Sequence, residues 1–181
     1  MTGLWSVVIP DSTEITNLIT NPSLETAETG YALVATATIA ASTTKSRRGY
    51  KSLAVTCTTA SGDGAMYDAV ALTSGTTYTF ALDVWGLDGV VYAAYFSDTS
   101  AASVGTPTAI TGSAQWTREV VTYAATATAN FRVVFAKNQA EGSGVAYIDG
   151  VGVYAADHDP GHIDGEQKDC WWNGTPHAST S

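Results

Sequence analysis

Charge is scarce in this chain, and positive charge scarcer still. Only 14% of the 181 residues are charged, with 8 Lys and Arg against 17 Asp and Glu, so the net charge is −9 at pH 7. A field of that sign repels phosphate backbones and anionic lipid, which argues against nucleic acid or a membrane as partner. No apolar run reaches the roughly 18 residues that a membrane-spanning helix needs. Met1 leads straight into TGLWSVVIP without the basic n-region and apolar h-region of a conventional signal peptide. Cysteine is nearly absent: Cys57 and Cys170 leave open a buried free thiol at 57 or a single bridge between the two. No stretch shows a helical period with caps, no G-x-S-x-G elbow occurs, and no carboxylate pair stands out as acid and base, so the chain is not read as an enzyme. His158, Asp159, His162, Asp164 and His177 near the C-terminus fit no compact zinc spacing and read as solvated loop residues.

What the chain does have is alternation. In TYTFALDVWG (77–86), Tyr78, Phe80, Leu82 and Val84 fall on one face, and Thr79, Ala81, Asp83 and Trp85 on the other. The first set is the expected core. The same period runs through YKSLAVTC (50–57), VVYAAYF (90–96), WTREVVTY (116–123) and NFRVVFA (130–136). Cys57 shares the buried phase of Leu53 and Val55. Turns are marked by Ser74-Gly75, Asp88-Gly89, Gly112-Ser113 and Glu141-Gly142. Strands at this spacing, joined by Gly-rich turns, predict an all-β fold: a two-sheet antiparallel β-sandwich of jelly-roll type. The expected division is a lead-in over 1–14, the sandwich over 15–155 and a polar tail over 156–181, which is too punctuated by Gly and Pro to add a long strand.

Two segments bracket the sandwich, NLITNPSLE (17–25) and VAYIDGVGVY (145–154), and read as its first and last strands. The first resembles the opening of carbohydrate-binding modules of the 4/9 superfamily, jelly-roll domains found in phage tail proteins and appended to glycoside hydrolases. GYKSLAVT (49–56) and SGTTYTFALDVW (74–85) follow in the family's order. The chain departs from the usual wording at Leu24, where Phe is customary, at Tyr31, where Trp follows the Gly, and at Gly150, where a second Asp is usual. The resemblance implies a structural Ca2+ held by Glu25, the main-chain carbonyl of Lys51, and Asp149; hard oxygen ligands suit that ion. The tail segment DGEQKDCWWNGTPHASTS resembles a short element downstream of such modules in phage tail proteins. It implies a virion or extracellular setting, reached without a signal peptide, and a chain continuing into further domains.

A sugar offers an apolar C–H face and a rim of hydroxyls, so its site pairs an exposed aromatic plane with side chains that hydrogen-bond in forks. Trp85 is the expected platform, with Asp83 as acceptor and Arg132 as a fork of donors from a neighbouring strand. Tyr31 is a second platform; Tyr95 and Tyr92 are weaker candidates, since alternation turns one of them inward, and Trp116 is expected to pack at the sandwich edge. Three functions stand open: a non-catalytic module binding polysaccharide or a host-surface glycan, a virion structural domain using the same faces for contacts with other subunits, and an accessory module of a glycoside hydrolase.

Overall fold

The computed structural model describes residues 15–100 and 102–163. The lead-in and the C-terminal motif with Cys170 and His177 lie outside these residues. Among them there is no helix; ten strands form, β1 (Tyr31–Val34), β2 (Thr38–Ser42), β3 (Ser52–Cys57), β4 (Gly64–Leu72), β5 (Thr77–Trp85), β6 (Val91–Ser97), β7 (Ser103–Thr111), β8 (Trp116–Ala124), β9 (Ala129–Lys137) and β10 (Gly144–Tyr154). They make two antiparallel five-stranded sheets, sheet A in the order β1-β4-β9-β6-β7 and sheet B in the order β2-β3-β10-β5-β8. The chain is the all-β sandwich that the alternation predicts.

The inward residues of the two sheets form one core. Tyr78, Phe80, Leu82 and Val84 of β5 meet Tyr92, Phe96, Phe131, Val133 and Phe135 of β6 and β9. Phe80 and Phe96 touch across the sandwich edge-to-face, with ring centroids 6.0 Å apart, a geometry that aligns a positive ring edge with a negative face. The turns fall where glycine permits a left-handed backbone, as at Gly75 (φ 83°) and Gly89 (φ 72°).

The opening segment departs from expectation. NLITNPSLE is not a strand: Asn21 (φ 54°) and Leu24 (φ 59°) take left-handed conformations that no strand accepts, and the first strand begins only at Tyr31. The segment is still fastened to the last strand. Leu18 N–H donates to the Val153 carbonyl at 2.8 Å, and Val151 N–H to that of Pro22 at 2.9 Å. The buried Asn17 amide ties three parts of the chain: Nδ2 donates to the carbonyls of Val151 and Ile163, and Oδ1 accepts from the N–H groups of Ile19 and Val153, all at 3.1 Å.

Between Asp149 and Gly152 the register of β10 against β5 slips by a bulge. Gly150 sits there at φ 53°, and a Cβ on it would lie 2.6 Å from Asp83 Oδ2. Backbone conformation and lack of space together account for glycine where the family's usual second Asp would stand.

Candidate functional site

Residues paired across neighbouring strands share a face, and this places the aromatics. On the outer side of sheet B, Trp85 pairs with Tyr147 of β10 and with Trp116 of β8, a row of three rings. Trp85 stands edge-to-face against Tyr147 at 5.8 Å, and Lys45 Nζ lies 4.1 Å from the centroid of the Trp85 ring, a cation–π contact. Trp85 and Trp116 are half-buried.

Asp83 shares this face but is not open to a ligand. It is 1% exposed. Arg48 Nε approaches its Oδ2 at 3.0 Å and Arg118 Nη1 at 3.7 Å. Two distant segments cover it, the 43–51 loop and a strap over 155–163. The strap lies along sheet B: Thr79 Oγ1 donates to the Ala156 carbonyl at 2.8 Å, the Tyr154 hydroxyl to that of Gly161 at 3.0 Å, and Arg118 grips Asp159 through Nε (2.9 Å) and Nη2 (3.2 Å). Asp159 is thus the anchor of a packed segment.

Arg132 does not join Trp85. It lies on β9, in the other sheet, where its Nε meets Asp68 Oδ1 at 2.9 Å and its Nη1 donates to the Thr99 carbonyl at 3.1 Å. The ion pair with Asp68 holds the Arg132 guanidinium above its ordinary pKa and the Asp68 carboxyl below its own. Tyr95 belongs to this outer face of sheet A. It closes a straight cross-strand row, Ala32–Met66–Val134–Tyr95, one register step of two residues from the Ser97–Arg132 pair. Burial of part of its ring raises the Tyr95 phenol.

Tyr92 is a correction. It turns inward, fully buried, stacked on Phe135 at 5.0 Å with its hydroxyl accepting the Leu87 N–H at 3.1 Å; strand alternation gives the outer face to Tyr95 alone. Tyr31 also faces the core side, edge-to-face with Tyr67 at 5.2 Å. Its hydroxyl is buried with no hydrogen-bond partner among the described residues, and burial pushes its pKa well up. Its ring is only partly exposed.

The residues expected to hold calcium make hydrogen bonds within the protein. Asp149 is fully buried, and its Oδ2 accepts the N–H groups of Arg47 (2.6 Å) and Arg48 (2.7 Å) while Oδ1 accepts that of Gly150 (2.7 Å). Glu25 Oε1 accepts the N–H groups of Tyr50 (2.7 Å) and Lys51 (3.0 Å), and the Lys51 ammonium sits on the Glu25 carbonyl at 2.8 Å. Both Asp149 oxygens and Glu25 Oε1 thus face backbone donors, and among the described residues no three His, Cys, Asp or Glu side chains gather as a metal site. Burial lifts the Asp149 carboxyl to about 7 despite those three amides.

Some structural groups escape the alternation argument. Lys137 is buried, its ammonium held by the carbonyls of Thr58, Gly142 (2.8 Å) and Glu141; its signal was present, since it continues the inward phase of Phe131, Val133 and Phe135. Asp63 is equally buried. Burial alone would raise it, but the hydroxyls and N–H groups of Thr58 and Thr36 outweigh that and hold it at about 2. Cys57 is buried and pairs with no cysteine among the described residues, its thiol pushed up to about 11 by burial.

Known proteins agree with this architecture. No curated protein matches the chain. Solved structures do: an arabinose-bound MgGH51 α-L-arabinofuranosidase (TM-score 0.65, 15% identity over 77% of this chain), of which the chain spans about a quarter, 26%; the CBM22-1 xylan-binding domain from Paenibacillus barcinonensis Xyn10C (TM-score 0.59, 14% identity, 76% of this chain and 92% of that one); and the enzymatically active domain of Bacteriophage CBA120 tailspike protein 4 (TM-score 0.57, 12% identity, 76% of this chain and 21% of that one). At such identities these likenesses establish the fold alone. Residues 16–141 match the family described as carbohydrate binding domain, families 4 and 9. That match covers well over half of the sequence, and this chain belongs to that carbohydrate-binding family.

Proposed function

We propose that the chain is a non-catalytic module that holds a polysaccharide against the outer face of sheet A, with Tyr95 as the stacking ring and Arg132, braced by Asp68, as the polar fork. The carrying observation is the register row Ala32–Met66–Val134–Tyr95 ending beside Arg132. A flat apolar strip with one ring and one guanidinium at its end matches a sugar's C–H face and hydroxyl rim. The other sheet suits this role less well, because the strap and the 43–51 loop occupy its centre. Family membership supports the binding role, and the neighbour named as xylan-binding suggests the first polysaccharide to try. The setting we infer is extracellular or virion-associated, on the strength of the C-terminal motif at 164–181.

Retention of the purified chain on insoluble xylan, alongside a glycan array, tests this. Wild type is retained and Tyr95→Ala elutes unretarded, with its melting temperature shifted by no more than a few degrees. Equal retention of the variant overturns the assignment of the face. Failure to bind any glycan, with binding to other virion subunits instead, moves the chain to the structural reading.

A further inference from the structure

Four of the chain's eight cations, Lys45, Arg47, Arg48 and Lys51, stand within seven residues of one loop. Two are consumed internally: Arg48 on Asp83 and Lys51 on the Glu25 carbonyl. The side chains of Lys45 and Arg47 carry no ion pair among the described residues, and Arg47 is exposed. In a chain of net charge −9, two cations of one loop without an ion pair are conspicuous. Lys45 also stands on aromatic surface: its Nζ is 4.1 Å from the Trp85 ring centre, and Trp116 adjoins Trp85 on the next strand.

The loop that carries them is fixed. The buried Asp149 carboxylate takes the N–H groups of Arg47 and Arg48 at 2.6 and 2.7 Å. Ser52 Oγ donates to the Lys45 carbonyl at 2.5 Å, and Ser46 Oγ to that of Gly49 at 3.3 Å. A site on a loop pinned this way loses little entropy on binding.

We propose that this corner of sheet B binds an acidic sugar, a uronate unit of a polysaccharide, with its ring against Trp116 beside the Lys45-capped Trp85 and its carboxylate against Lys45 and Arg47. Two cations match one or two carboxylates, whereas a nucleic acid would bring a dense run of phosphates toward a protein whose overall field repels them. The site is separate from the Tyr95 face, so the two can fail independently.

The test is calorimetric titration of the chain with a galacturonate trimer and with its methyl ester, which keeps the ring and removes the charge. The acid binds at least tenfold more tightly than the ester, and added salt weakens it. Lys45→Gln and Arg47→Gln each weaken acid binding about three- to tenfold, and the double variant abolishes it, while xylan retention through Tyr95 and the melting temperature stay as in wild type. Trp116→Ala, checked for folding by its near-ultraviolet circular dichroism, also loses the acid. Equal affinity for acid and ester overturns the proposal, as does undiminished acid binding by the double variant or no acid binding by wild type.

Discussion

Replacing Asp83 by Ala distinguishes a buried strut from a ligand contact. In this fold Asp83 is 1% exposed and its Oδ2 faces Arg48 at 3.0 Å and Arg118 at 3.7 Å. Removing one partner of a fully buried ion pair costs about 3–5 kcal/mol, because the survivor is left charged and unpaired. Here the cost is smaller on both sides. Arg118 keeps its two-pronged grip on Asp159 and its bond to the Gly150 carbonyl, and the Arg48 side chain is 36% exposed, so water solvates part of the orphaned guanidinium. About 2–3 kcal/mol remains, in line with a lost hydrogen bond to a charged group plus the packing around it. For a domain of this size each kcal/mol moves the melting temperature by about 2–4 °C. The expected drop is therefore about 4–12 °C, read by differential scanning fluorimetry and checked by urea denaturation. Asp83→Asn, which keeps an acceptor, loses about half as much, and xylan retention of both variants below their transitions matches wild type. A variant as stable as wild type but deficient in glycan binding would refute the burial argument and return Asp83 to the ligand.

Tyr31→Phe removes a buried hydroxyl that has no partner among the described residues, so stability holds or rises, by up to about 1 kcal/mol, where removal of a satisfied hydroxyl would lower it; thermal denaturation decides. Asp63, held at about 2 against an ordinary 3.8, has a depressed folded-state pKa, so its contribution is present above pH 4 and is lost as pH falls toward 2. Asp63→Asn flattens that acid limb of the melting-temperature profile relative to wild type. Excess chelator leaves the melting temperature of wild type unchanged, because both Asp149 oxygens and Glu25 Oε1 accept backbone amides; a fall of several degrees on chelation, reversed by added calcium, would show that the loop rearranges around an ion.

Side-chain phase proved readable and long-range cover did not. Alternation along β5 separates Phe80 and Leu82 from Asp83 and Trp85, because a strand turns each successive residue to the opposite face. The same rule decides between Tyr92 and Tyr95 once β6 is paired. It says nothing about which sheet a strand joins, and so it cannot place Arg132, which lies on the outer face opposite Trp85. Nor does it reveal burial of an outward residue by a remote segment: Asp83 is covered by Arg48, 35 residues earlier, and by the strap that follows β10. The opening segment misled for a local reason, since an apolar NLIT followed by NPSLE reads as a strand until the left-handed conformations of Asn21 and Leu24 are known.

The position of β10 governs the order in which this sandwich can be assembled. It lies between β3 and β5 at the centre of sheet B, yet among the described strands it is the last to be synthesised. Sheet A has all of its strands by residue 137, whereas sheet B remains two separate ribbons, β2 with β3 and β5 with β8, until residues 144–154 have emerged from the ribosome. The same late strand carries the carbonyl and amide that receive Asn17, 134 and 136 residues upstream. Closure over such separations makes folding slow for a domain this small and leaves the unfilled centre of sheet B open to a strand from another chain in the meantime.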